Sequence, residues 1–327
     1  MSTAPRVLAI CGGVGGAKLA LGLDRVLPPG DLAILVNTGD DFDHLGLRIC
    51  PDLDTVTYTL GGVVSRAQGW GREDDTRGFL EEIGRLGGPT WFGLGDRDLA
   101  VHFERTRRLA AGETLSAVTA SFARSFALRS RLLPMSDDPV RTLLDTADGV
   151  LEFQEYFVRR RCEPAVRAIR YAGADIARPL PAALDLLGSG ALEAVILCPS
   201  NPWLSIDPIL SMPALRRALQ RCGAPVIAVS PLVAGRAIKG PTAKLMQELG
   251  LEASAATVAA HYAGLLDGYV LDDEDRELVP ALGQRLGLAA LAAPTVMRTL
   301  EDREALARNV LAFAAARPVG PRLRRVS

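Results

Sequence analysis

The stretch VLAICGGVGGAKLALGL (7–23) opens with a five-residue apolar run, Val7 to Cys11, and breaks at Gly12 and Gly13. It resumes with Ala17, Leu19, Leu21 and Leu23 in a segment that Pro28 and Pro29 close. A short apolar run bounded by glycine reads as a buried strand, and an apolar segment stopped by proline reads as a helix. Strand, glycine turn and helix in that order predict the opening unit of a parallel α/β sheet. The next apolar run, Leu32 to Val36, predicts a second buried strand, and NTGDDFDHLGLRICPDLDT (37–55) follows it as a polar segment. In open parallel sheets ligands sit at the carboxyl ends of the strands, so both unusual segments fall on one edge.

Further along the pattern changes. Helical stretches are predicted at Arg77 to Arg85, Leu99 to Leu109 and Leu115 to Leu128, with short extended pieces at Arg131 to Pro134 and Arg141 to Asp145. Strand rhythm returns at Val166 to Tyr171, Ala194 to Cys198 and Pro225 to Ser230, separated by helical segments at Pro181 to Leu187 and Ala214 to Arg221. Such alternation predicts parallel strands joined by right-handed crossovers. The expected fold is therefore a doubly wound, mostly parallel, Rossmann-like core formed by 1–60 and 163–327, with 61–162 as a mixed, largely helical insertion.

A chain of 327 residues, 48% apolar and 23% charged, has enough material for a large core. Lys plus Arg (37) nearly balance Asp plus Glu (38), so no net field favours nucleic acid and small molecules are the expected partners. Cys11 and Cys198 end apolar runs, and the five cysteines are too scattered for a disulfide framework or a zinc site. With no apolar run near the roughly 20 residues of a membrane helix and no signal-peptide pattern, a cytoplasmic location is expected. The tail RPVGPRLRRVS (317–327) reads as a solvated end.

Four glycines in CGGVGGAK (11–18) let backbone amides and a helix N-terminus approach a phosphate. Neither the G-x-G-x-x-G spacing of dinucleotide folds nor the GK[ST] ending of the Walker loop is present, so neither NAD nor ATP follows from the turn. The bland alternative is a tight turn needing small residues. Lys18, one helical turn on, is positioned either for an anion or for solvent. Asp40, Asp41, Asp43, Asp52 and Asp54 crowd the next segment with Asn37, Thr38, His44 and Thr55. Adjacent carboxylates repel unless a cation shares them, and Mg²⁺ takes one or two carboxylates plus substrate phosphates, so a metal site is expected there. Ser200 and Asn201 in CPSNPWLSIDPIL (198–210) lie on a proline-stiffened polar loop after a strand, and Arg236 and Lys239 in SPLVAGRAIKGPTAK (230–244) offer charge for phosphate. Asp98, His102 and Arg105, and Ser136 to Arg141, read individually as helix caps and packed side chains. No Cys or Ser has a nucleophile's spacing from a His, which argues against a covalent hydrolase.

Seven stretches in register, GGVGGAKLALGL (12–23), VNTGDDFDHLGLRICPDLDTVTYTL (36–60), WFGLGDRDLAVHFERT (91–106), PMSDDPVRT (134–142), FQEYFVRRR (153–161), CPSNPWLSI (198–206) and SPLVAGRAIKGPTAKLM (230–246), closely resemble the 2-phospho-L-lactate transferase family of coenzyme F-420 biosynthesis. The resemblance runs across nearly the whole chain. It implies a Mg²⁺-dependent enzyme, a doubly wound fold and a homodimer. The donor would be a guanosine-diphosphate-linked phospho-acid (2-phospholactate, phosphoenolpyruvate or 3-phosphoglycerate), the acceptor the deazaflavin alcohol Fo, and the leaving product GMP. On that reading Gly12, Gly13, Gly15 and Gly16 cradle the diphosphate with Lys18, Asn37 and Thr38 beside them. Asp41 and Asp54 hold Mg²⁺, Asp52 or Asp40 takes the acceptor's proton, and Ser200, Asn201, Arg236 and Lys239 grip the nucleotide. The DLDTV and PMSDD segments and His102 would face the deazaflavin. A related branch that binds nucleotide sugars and regulates metabolism is the alternative. Its serine- and glycine-rich stretch after the paired aspartates is replaced here by DDFDHLGLRICPDLDT, which favours the transferase.

Overall fold

A computed structural model describes residues 4–318; residues 319–327, most of the basic tail, lie outside it. A seven-stranded sheet runs in the order Ala289–Ala292, Gly268–Leu271, Val226–Val229, Ala194–Leu197, Val7–Cys11, Leu32–Val36 and Arg131–Pro134. Every pairing in it is parallel. The chain starts at an inner strand, builds outward through Leu32–Val36 to Arg131–Pro134, and then returns to the other flank of Val7–Cys11. That reversal opens a crevice between Val7–Cys11 and Ala194–Leu197, where α/β folds bind ligands.

All five residues of Val7–Cys11 and of Leu32–Val36 are buried. Their side chains alternate between two cores: Leu8, Ile10, Ala33 and Leu35 face one, while Val7, Ala9, Leu32 and Ile34 face the other. Unbroken apolar runs are what a strand covered on both faces requires. The helix Gly13–Val26 packs against Pro51–Leu60 and against the C-terminal helix Leu300–Ala315. The last approach is close enough that a Cβ on Gly22 would stand 2.2 Å from the Arg303 carbonyl oxygen.

Three local readings change. Arg131–Pro134, read within the insertion, is an edge strand of the main sheet. Val166–Ala172, read as a parallel strand, belongs instead to a three-stranded antiparallel sheet with Arg141–Thr146 at its centre and Gly149–Glu152 beyond. Arg167 and Arg170 explain this, since a strand with charged residues can leave one face in solvent only outside a doubly covered sheet. The polar segment after Val36 is also not an open loop. It forms a hairpin, Phe42–His44 with Leu47–Ile49, whose turn residues Leu45 and Gly46 both have positive φ (52° and 74°). Phe42 and Ile49 anchor it in a small core with Leu94, Trp91 and Phe92, and Pro51 at the first helical position starts the next helix. Among the described residues no helix is long and apolar enough to cross a membrane.

Candidate active site

The helix after the first strand begins in glycines because its first turn is crowded from two sides. A Cβ on Gly12 would lie 2.2 Å from Asp52 Oδ2, on Gly15 2.5 Å from the Pro199 carbonyl oxygen, and on Gly16 2.4 Å from Ser200 Oγ. Gly13 needs its freedom for another reason, a φ of +64°. Gly15 and Gly16 are thus bare toward the Pro199–Ser200 loop, and Gly12, Gly13 and Gly15 border a cavity of about 470 Å³ at the crevice. Ser200 closes the seam: its hydroxyl donates to Gly12 O (2.8 Å) and accepts from Gly12 N (3.2 Å). Asn201 caps the following turn, accepting from Trp203 N and Leu204 N, while its amide donates to Thr242 Oγ1 at 3.0 Å.

One side of the cavity is acidic. Asp52 accepts from Gly13 N at 2.7 Å and from Asn37 Nδ2 at 3.0 Å, and Asn37 also donates to Leu204 O and accepts from Gly39 N. Burial raises the Asp52 carboxyl to about 6, although the Asn37 and Gly13 hydrogen bonds pull it down. Asp40, also on the wall, is pushed well above the usual carboxylate range by burial and then by the Asp52 charge. Asp41 is buried off the wall, and burial lifts it to about 7 against a hydrogen bond with Cys50 and the charge of Arg105. Asp40 Oδ1, Asp41 Oδ1 and Thr38 Oγ1 are buried without a hydrogen-bond partner.

Asp54 has a different setting. Arg105 Nη1 donates to Asp54 Oδ2 at 3.1 Å and Nη2 donates to Oδ1, a bidentate pair with the guanidinium only 3% exposed. Burial alone would lower the Arg105 pKa, but Asp54 outweighs it and the value rises. Arg105 Nη1 also lies 3.3 Å from His102 Nδ1. His102 Nδ1 also lies 3.5 Å from Asp54 Oδ2, and Nε2 lies 3.3 Å from Asp98 Oδ1. Tyr58 OH donates to the same Asp98 oxygen at 2.5 Å. Asp54, Tyr58, Asp98 and His102 all border the cavity.

Cations border the same cavity. Lys18 Nζ donates to Met297 O at 2.9 Å, and burial, then Arg303 and Lys239, lower its pKa. Lys239 Nζ donates to Gln68 O at 2.8 Å, joining two loops at the cavity mouth. Arg236 is exposed and off the wall. Asp137 accepts from Ser116 and Asp138 pairs with Arg178, both away from the cavity, so the aromatic face comes from Phe92, Phe153 and Phe157 rather than from PMSDD. The wall formed by Thr295, Val296 and Met297 was not anticipated. Its one signal is Asp272 after the buried GYVL strand, and Asp272 Oδ2 accepts from Thr295 N (2.8 Å) and Oγ1 (2.7 Å).

A doubly wound parallel sheet with a glycine turn at its switch point, between an acidic and a cationic wall, defines an α/β enzyme for phosphorylated substrates. Residues 7–284 match the family model described as 2-phospho-L-lactate transferase CofD, and the chain belongs to that family, among the phospho-acid transferases of coenzyme F-420 biosynthesis. A phosphoenolpyruvate transferase of Streptomyces griseus subsp. griseus is 42% identical over 315 residues, covering 94% of this chain and 98% of that protein. A 2-phospho-L-lactate transferase of Methanosarcina mazei is 38% identical over 305 residues, covering 93% and 99%. A crystal structure of a UPF0052-family protein from Bacillus halodurans superposes with a TM-score of 0.60 over 94% of this chain and 99% of that one; at 13% identity it shows the fold alone.

Proposed function

We propose that the chain transfers a phosphoenolpyruvyl group from a guanosine-diphosphate-linked donor to the hydroxyl of the deazaflavin Fo and releases GMP. The observation that carries this reading is the cavity that runs from the glycine turn between two walls of opposite charge. The name of the Streptomyces relative supports phosphoenolpyruvate as the acid. Attack of an alcohol on a diphosphate demands positioning and charge neutralisation more than covalent chemistry. Lys18 and Lys239 supply positive charge for the diphosphate. Asp52 is the carboxylate to take the acceptor's proton, being held at Gly13 N and tuned near neutrality.

Among the described residues no three His, Cys, Asp or Glu side chains converge as a full metal cage. A cation held mostly by substrate phosphates needs fewer ligands. Asp40, on the wall with an unpartnered oxygen, fits that role. Asp54, committed to Arg105, does not, and Asp41 lies off the wall. Mg²⁺ held there would neutralise phosphate charge. The test is a reaction with Fo and each guanylylated acid, read by product mass and nucleotide release. Phosphoenolpyruvylated Fo with one GMP per turnover is expected; guanylylated Fo, or transfer only of a different acid, overturns the reading.

A further inference from the structure

Beside the acidic end of the cavity lies a smaller chamber of about 170 Å³, bordered by Ser65, Trp70, Arg72, Asp75 and Arg77. Gln68, Trp70, Gly71, Gly93 and Asp98 border both spaces, so the chamber is a side room of the main cavity. Its base is a short hairpin in which Arg72 bridges Val64 and Glu73 N donates to Val63 O at 2.8 Å. The Arg72 guanidinium lies 5.3 Å from the Phe126 ring and 5.8 Å from the Tyr58 ring.

Ring faces hold the plane of a guanidinium but fill none of its five directed N–H positions as a carboxylate does. Arg72 Nε is buried without a partner, and no carboxylate among the described residues pairs with Arg72. The chamber's own carboxylates are engaged elsewhere. Asp75 accepts from Thr76 N, Arg97 N and Asp98 N, and Asp98 accepts from Tyr58 OH. Asp74 is exposed on a turn with φ of +51°. Arg77, exposed at the rim, adds a second positive charge. A partly desolvated guanidinium with an unfilled fork is shaped for a carboxylate.

Resting on the transfer reading above, we propose that this chamber seats the carboxylate of the transferred phospho-acid, with Arg72 as its partner. Size separates the acceptor's ring system from the small acid of the donor. A tricyclic deazaflavin does not fit about 170 Å³, whereas a three-carbon acid does.

The experiment is calorimetric titration of the wild type, Arg72→Gln and Arg72→Lys with phosphoenolpyruvate, inorganic phosphate, GDP and Fo. Phosphoenolpyruvate binding weakens about tenfold or more in Arg72→Gln and less in Arg72→Lys, which keeps charge but loses the fork. Affinities for phosphate, GDP and Fo stay at wild-type values, and all three proteins melt within a few degrees of one another. Equal phosphoenolpyruvate affinity in wild type and Arg72→Gln overturns the proposal, as does a parallel loss for phosphate and GDP. A loss confined to Fo would place the anion on the acceptor and overturn it too. Product formation is measured separately: a wild type that binds phosphoenolpyruvate through Arg72 yet transfers nothing to Fo sinks the transfer reading and leaves this assignment standing.

Discussion

The two walls of the cavity use burial in opposite ways. On the acidic wall Asp40 and Asp52 are buried near one another and their protons are held above the usual carboxylate range. Asp54, two residues from Asp52 on the same helix, is instead paired with the Arg105 guanidinium. On the cationic wall Lys18 and Lys239 rest on backbone carbonyls, Met297 O and Gln68 O, rather than on carboxylates. A carbonyl steadies an ammonium without cancelling its charge. The difference teaches that burial holds protons on one set of groups while the other set keeps its positive charge uncancelled, which is the division of labour the proposed transfer needs.

Changing the acidic wall at Asp52, the proposed proton acceptor, should break the comparison most. Asp52→Asn keeps the shape and an acceptor for Gly13 N, so donor binding persists while kcat falls by about 10²–10⁴. Rates at saturating donor and Fo are the measure, and a loss under threefold removes Asp52 from the chemistry. Arg105→Met tests the paired half of that wall. Leaving Asp54 buried and alone should cost about 3–5 kcal/mol of stability in urea unfolding. A cost under 1 kcal/mol would mean Asp54 finds another partner.

The cationic wall should respond in KM rather than kcat. Lys239→Ala raises donor KM by about 10- to 100-fold through loss of a charge-assisted bond, while kcat at saturation changes little; a change in kcat alone would contradict the division of labour. The smallest effect is on stability against pH. Without divalent cation, Asp52 binds its proton with a pKa near 6 in the folded chain against about 3.9 when unfolded. Between these values the folded state holds more protons, so stability declines as pH rises, by about 1–2 kcal/mol from Asp52 alone between pH 5 and 7, and Asp41, raised by burial to about 7, adds to the decline with the same sign. Thermal melts in chelator should show that decline and Mg²⁺ should reduce it; a rise over the same range refutes the burial assignment.

Much of this could be read from the chain because its signals were local. The apolar runs at Val7–Cys11 and Leu32–Val36, each adjoining a polar turn, are enough to place the glycines and aspartates on one edge. Other features depend on distant partners. Asp54 is neutralised by a residue 51 positions away, and the hairpin after Val36 is buried only because Trp91 and Phe92 cover it. The strand Ala289–Ala292 has the sequence AALA, with no β-branched residue to distinguish it from helix. The Thr295–Met297 wall gives no signal of its own, because what places it is a hydrogen bond to Asp272.

The contact between Gly12 and Asp52 also limits how this enzyme can change. A single methyl group at position 12 would occupy the place of the Asp52 carboxylate, so that position cannot accept any side chain while the acid remains. Shortening the acid to make room would remove the carboxylate proposed to take the acceptor's proton. Variation in donor preference is therefore closed at position 12 and open around Arg72, Lys239 and the Thr295–Met297 loop, none of which a Cβ at position 12 would meet. A lineage exploring new phospho-acids, or a laboratory selecting for them, should accumulate its substitutions there and leave position 12 untouched.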